Sequence, residues 1–323
     1  IGGFILLLMG GPLIINNELT IGEFVALGTY IGLLSWPTAS LAWIINIIQR
    51  GKASWDRISK ILISPPLFTG TSPLNLQSTS YTLELKNLNF SYSKQTPPIL
   101  KKLSFSINSG QIIGVFGPSG AGKSTLVQLL AGIEKSENNQ FFVNNHCINT
   151  MAVDDFRKSI AYVSQNPFLF SKTITENISF QQDSANTTTA ITQAHVQHDI
   201  NLFPKKHNTV IGEKGVILSG GQRSRVALAR AFYKQAPILI LDDVLAAVDH
   251  ETQEQLIHNI LDQQTPNQTI IIVSHRVSAL TNCDAIYVLN KGQLIDEGTH
   301  QQLISKDGIY KHTWQYQKMV DQL

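Results

Sequence analysis

An α/β domain on a parallel sheet, preceded by two apolar helices, is the architecture that this sequence predicts. Three observations carry that expectation. All 25 Lys and Arg residues lie at position 50 or later, so an uncharged front joins a charge-rich remainder. Two short runs, Gln111–Phe116 and Ile238–Leu241, have the apolar character of buried parallel strands. Each is followed by glycine-rich or acidic residues, Gly117–Thr125 and Asp242-Asp243, at the edge where open α/β sheets bind ligands.

The chain has 323 residues, enough for about two domains and a sizeable core. A net charge of +2 gives no strongly basic face for nucleic acid. The composition excludes disorder, collagen and a disulfide scaffold. Cys147 and Cys283 are far apart, in no CxxC pattern, and read as ordinary thiols of a reducing compartment.

The front divides in two. Ile1 to Ile15 is almost wholly apolar, and Phe24 to Ile48 runs without a charge. The second stretch exceeds the roughly 20 residues that a helix needs to cross the hydrocarbon core. A signal peptide would have a basic first region and no second span. Pro37 sits mid-run, where a membrane helix tolerates a kink. The turn Asn16–Thr20 has no basic residue, whereas Arg50, Lys52, Arg57 and Lys60 flank the other end. That asymmetry puts the second flank in the cytoplasm. Spans are therefore expected at about 1–16 and 22–49, with a cytoplasmic helical extension at 50–64. The apolar opening without an initiator Met predicts the C-terminal part of something longer.

Within the extension, Ala53, Trp55, Ile58, Ile61 and Leu62 alternate with charges as in an amphipathic helix, and Pro65-Pro66 ends it. Residues 65–80, rich in Ser, Thr, Gly and Pro, read as a linker to a globular domain at 81–323.

The run Gln111–Phe116 leads into Gly117-Pro118-Ser119-Gly120-Ala121-Gly122-Lys123-Ser124-Thr125 and then a helical stretch. This is GxxxxGK[ST] between a strand and a helix, the context that makes it a phosphate-binding loop. Glycines let backbone N–H groups curl around an anion, and the new helix adds its positive end. Lys123 supplies a mobile charge for the β- and γ-phosphates, and Ser124 a hydroxyl for Mg²⁺. Asp242 is placed to hold Mg²⁺, and Asp243 lies nearer an attacking water. A second buried run, Ile270–Val273, delivers Ser274 and His275 at the same edge, which suits His275 to a γ-phosphate role. Ser219-Gly220-Gly221-Gln222 opens another helix, with Ser219 as N-cap. As an anion site this tip needs a phosphate that the loop on its own chain does not obviously supply.

The order Tyr92, GPSGAGKST, Gln165, LSGGQ, LILDD, Asp249 and His275 resembles the ATP-binding cassette superfamily over roughly 81–323. The apolar front with RGKASWDRISKIL resembles the last two spans of an ABC exporter half-transporter. SWPTASLAWIINIIQRGKAS and GIYKHTWQYQ are similar to the Mdl type of multidrug-resistance-like half-transporters. The resemblance implies an ABC nucleotide-binding domain with a RecA-like core. An antiparallel β subdomain is expected from about 81–108 and 141–148, and a helical subdomain within 166–235. It implies Mg-ATP as the bound species and an ATPase coupled to export of a multidrug- or lipid-like substrate across the plasma (inner) membrane.

Residue by residue, Tyr92 would stack on adenine, and Gln165 would touch Mg²⁺ and the attacking water. Ser219, Gly220, Gly221 and Gln222 would meet the γ-phosphate held by another subunit. Asp249 would lie in the D-loop and Glu213 in the X-loop. Two departures stand out. Family members usually carry Glu where this chain has Asp243, and Ser is common where it has Ala246. An intact LSGGQ beside a shortened base resembles the degenerate-site subunit of a heterodimer. The alternatives are a regulatory ATP-binding subunit without significant turnover, or a homodimer using Asp243 as base.

Overall fold

The computed structural model describes residues 2–72, 80–93, 95–136, 139–180, 186–212, 215–244, 250–262 and 264–321. The chain separates into two compact units, Ile1–Pro66 and Leu67–Leu323.

The first unit is a helical hairpin. Helix α1 covers Gly2–Ile15 and α2 covers Ile21–Leu62. Thr20 caps α2 through a reciprocal pair of bonds with Glu23, satisfying two amides that the first turn leaves open. The helices approach closely at glycines. A Cβ on Gly10 would meet the Phe24 ring at 2.6 Å, and one on Gly28 would meet Leu6 at 3.3 Å. Those pairings run in opposite directions, so the helices are antiparallel. Only α2 is long and apolar enough to cross a membrane among the described residues; α1 has 14 residues, about 21 Å of helix. No residue of α2 is fully buried, and outside its contact with α1 near Phe24 and Gly28 its apolar surface faces outward. The apolar stretch and the amphipathic extension form one helix, continuous through Pro37 and Gly51.

The second unit has two sheets. Strands β1 (Leu83–Phe90), β2 (Leu100–Ile107), β4 (Phe141–Val143) and β5 (His146–Cys147) form an antiparallel sheet in the order β2-β1-β4-β5. The larger sheet uses β3 (Ile112–Phe116), β6 (Ile160–Val163), β7 (Ile238–Asp242), β8 (Thr269–Ser274), β9 (Ala285–Asn290) and β10 (Gln293–Gly298). Its order is β10-β9-β3-β8-β7-β6, parallel throughout except for the β10 edge. Every residue of β7 and β8 is buried, which is why both read as unbroken apolar runs. One apolar core lies between this sheet and the antiparallel one, around α3 (Lys123–Leu130). The other packs the opposite face against α8 (Gly220–Lys234) and the short helices α5 (Ile174–Ser179), α6 (Thr187–Gln193) and α7 (Gln197–Leu202). The antiparallel layer and the helical segment occupy the expected stretches.

Part of the expected linker is docked. Ser72 N–H donates to the Thr150 carbonyl at 3.1 Å, and the Ala152 N–H donates back to Ser72 at 2.9 Å. Cys283 is buried, and burial pushes its thiol up to about 12, so it is inert as a nucleophile.

Candidate functional site

Strand β3 ends at Phe116, and the chain turns through Gly117–Gly122 into α3. Sterics explain the glycines. A Cβ on Gly117 would lie 2.3 Å from the Leu289 carbonyl oxygen. Gly122 caps α3 at φ +96°, in the left-handed region, and a Cβ there would meet Leu100 at 2.7 Å. A Cβ on Gly120 would instead project into open space, and that gap is the cradle an anion needs.

Lys123 Nζ donates to the carbonyls of Gly117 at 2.8 Å and Pro118 at 3.0 Å, bridging the loop. Burial pushes its pKa below the usual lysine value, while Asp243 and Asp242 oppose the shift. A desolvated ammonium of this kind gains most from a phosphate. Behind it, the Ser124 hydroxyl donates to Asp242 Oδ1 at 3.1 Å, and the Tyr162 hydroxyl donates to Asp242 Oδ2 at 3.2 Å. Asp242 is 2% exposed, and burial raises its carboxyl above the ordinary range, with the Ser124 and Tyr162 bonds opposing. An all-oxygen pair at this depth, a hydroxyl and a carboxylate, suits Mg²⁺.

Asp243 follows in a left-handed conformation, φ +51°, with its N–H donating to the Val273 carbonyl at 3.0 Å. That turn carries its carboxylate to His275, whose Nδ1 lies 3.0 Å from each carboxylate oxygen. Tyr92 is more than half exposed. Its ring stands edge-on to Phe90, and its hydroxyl reaches Gln128 Oε1 at 3.1 Å and Thr125 Oγ1 at 3.2 Å. A ring held by its tip leaves a flat surface free for stacking.

So Lys123, Ser124, Thr125, Asp242, Asp243, His275 and Tyr92 form one connected group in a single chain. Gln165 does not join it: it is exposed beyond β6 and lines a small cavity with Gly220, Arg223 and Ser224. The Ser219–Gln222 tip is likewise apart. Ser219 Oγ accepts from the Gln222 N–H at 3.2 Å, and Gln222 Oε1 accepts from the Ser219 N–H at 3.0 Å. Gln222 Nε2 also donates to Asp199 Oδ1 at 3.3 Å. The same Asp199 receives two bonds from Arg225, at 2.9 and 2.7 Å. Gln222 is thus committed to shaping the tip, while Ser219 and Gly220 are exposed. Glu213, Ala246 and Asp249 lie outside the described residues.

Sequence reasoning missed Tyr162, Gln128 and Asp199. Tyr162 had a signal in principle: residues 162, 240 and 242 share one sheet face once β6 is paired with β7 through Tyr162–Ile240. That pairing is not local in sequence.

This loop, buried acid and second glycine-rich helix tip all fall within residues 100–246, which match the ABC transporter family. The chain is 38% identical over 317 residues to the multidrug resistance-like ATP-binding protein MdlA of Buchnera aphidicola subsp. Schizaphis graminum. The alignment covers 97% of this chain and 54% of that protein. It is 34% identical over 317 residues to an ATP-dependent lipid A-core flippase of Xanthomonas euvesicatoria, covering 97% of this chain and 53% of the flippase. A solved bacterial Atm1-family ABC exporter with ATP bound superposes with a TM-score of 0.78 at 29% identity, over 93% of this chain and 53% of the other. The chain spans about half the length of the curated relatives it matches.

Proposed function

We propose that this chain is the ATP-binding end of an ABC exporter subunit that works as a dimer in the plasma membrane. The cytoplasmic domain would bind Mg-ATP at Gly117–Thr125, and the Ser219–Gln222 tip would close on the nucleotide of a second subunit. The observation that carries this reading is the separation of those two segments. One has a half-buried cation, a hydroxyl and a buried acid of its own; the other is an exposed helix start shaped by its own capping box.

In the sealed site Lys123 and the loop amides would bind the phosphates, Ser124 and Asp242 would hold Mg²⁺, and Tyr92 would stack on the base. Bound Mg²⁺ neutralises phosphate charge. Asp243 takes a proton from water as the water oxygen bonds to the γ-phosphorus. The bond to the ADP oxygen breaks with its electron pair, and His275 contacts the departing phosphate. Gln165, across the small cavity from Gly220, would swing to Mg²⁺ and the water on closure. The outward apolar surface of α2 supports the membrane placement. Relatives named for multidrug resistance and lipid A-core flipping support an amphipathic or lipid-like substrate.

Asp243 supports a slow site of its own. Aspartate is one methylene shorter than glutamate, and a misplacement near 1 Å costs on the order of 10²-fold in rate. Both oxygens also lie against His275. The partner would then carry Glu at the equivalent position and supply most of the turnover. Reconstituted with that partner, Asp243→Glu should raise phosphate release about 10-fold or more. The partner's Glu→Gln change should abolish most of it. Full turnover after the partner's change would sink the asymmetric reading in favour of a homodimer-like use of Asp243.

A further inference from the structure

We propose that Gln317, in the last helix, is a positioning residue for His275. This rests on the ATPase reading above. Helix α11 covers Ile309–Asp321. Tyr310, Trp314 and Gln317 fall at i, i+4 and i+7, one stripe of the helix. Tyr310 is buried, with its ring edge-on at 5.1 Å to Phe116, the residue just before the phosphate loop. Its hydroxyl meets His300 Nδ1 at 2.8 Å, and Trp314 stands edge-on to the same histidine at 5.1 Å. The stripe is anchored to the sheet, yet it ends in a polar residue.

That residue holds the backbone on both sides of Arg276. Gln317 Nε2 donates to the His275 carbonyl at 3.0 Å, and Gln317 Oε1 accepts from the Val277 N–H at 2.9 Å. Val277 begins a short 3₁₀ turn, Val277–Leu280, whose N-cap makes no side-chain bond. Its open amide is therefore capped from another element. Arg276 is tied as well, by its N–H to Ser274 Oγ at 2.9 Å and its guanidinium to the buried Gln253 at 2.7 Å.

The bracket matters because packing does not hold His275. Its side chain is 48% exposed. Its position comes from the Asp243 contact and from the backbone beneath it. Gln317 fixes that backbone against a helix resting on Phe116, so the histidine and the phosphate loop share one support. Errors of about 1 Å at a reacting centre carry large rate costs, so a loosened backbone should lower turnover more than affinity.

The test uses the full chain. In Gln317→Ala without nucleotide, amide hydrogen exchange across 274–280 should quicken about 5- to 30-fold, the effect of two lost hydrogen bonds. Exchange over 112–125 and 300–316 should stay unchanged. In the transport-competent dimer kcat should fall about 10-fold with KM for ATP within about twofold. Gln317→Glu has nearly the same shape and keeps α11 docked. It retains the acceptor for Val277 but loses the donor to His275, so it should give intermediate exchange. Gln315→Ala, on the exposed side of α11, should match the unmodified protein. Unchanged exchange at 274–280 in both Gln317 variants, or an equal rise throughout 300–321, overturns the proposal. If the unmodified protein hydrolyses no ATP, the ATPase reading fails, while the exchange measurement still decides the bracket.

Discussion

Two glycine-rich segments open helices in the second unit: Gly117–Thr125 before α3 and Ser219–Gln222 before α8. Both present N–H groups at the positive end of a helix. Their surroundings differ. The first contains Lys123 and Ser124 and lies against a buried Asp242, with hydrogen bonds closing the group from within one chain. The second is shaped by its own capping box and by Asp199 below, and its tip faces outward. Similar local chemistry therefore yields one helix start closed by polar partners within its own chain and one whose tip is left exposed.

Three measurements would break or sharpen that contrast. Introducing a carboxylate at the outward tip, Gly220→Asp, should have the largest effect on turnover. Like-charge repulsion of several kcal/mol predicts a loss beyond about 100-fold. Binding of a fluorescent ATP analogue to the isolated chain should stay within about twofold. A parallel loss of that binding would mean the tip serves its own chain's nucleotide. Removing the half-buried cation, Lys123→Ala, should do the converse. Analogue affinity should fall about 10- to 100-fold, the range for charge-assisted bonds. Retained affinity would remove the loop as the binding centre.

The smallest effect concerns stability. Burial raises the Asp242 carboxyl above its ordinary 3.8. Just above that value the folded state binds more protons than the unfolded one, so stability falls as pH rises through the window. The cost is fully present once pH has passed the raised pKa. Asp242→Asn should thus raise the melting temperature of the nucleotide-free chain by about 2–4 °C, the equivalent of roughly 1 kcal/mol. Magnesium-dependent stabilisation by ATP should disappear in the same variant. An unchanged or lower melting temperature at pH 7 would show that Ser124 and Tyr162 already offset the burial.

Much of this was legible from residue order. The strand–GPSGAGKST–helix sequence encodes its own geometry, because only glycine tolerates the approach of Leu289 and Leu100 to the loop. The runs ILIL and TIIIVS announce buried strands because both faces are covered. Ser219 three residues before Gln222 is a local capping signal. Other features lay beyond that reach. The stretch after Arg50 read as an amphipathic helical extension; that it continues the apolar stretch as one unbroken helix depends on Gly51, which costs a long helix only about 1 kcal/mol.

By itself, the sequence determined the phosphate loop, the acids at the ends of the core strands, the capped helix tip and the apolar front. Each is written in neighbouring residues, where backbone sterics and periodicity act over a few positions. Only the tertiary structure decided that Tyr162 shares Asp242 with Ser124, that Asp243 turns onto His275, and that Gln317 brackets the backbone beneath that histidine. Those contacts join residues 32 to 118 positions apart. Their partners are chosen by strand order and register, which no local pattern specifies.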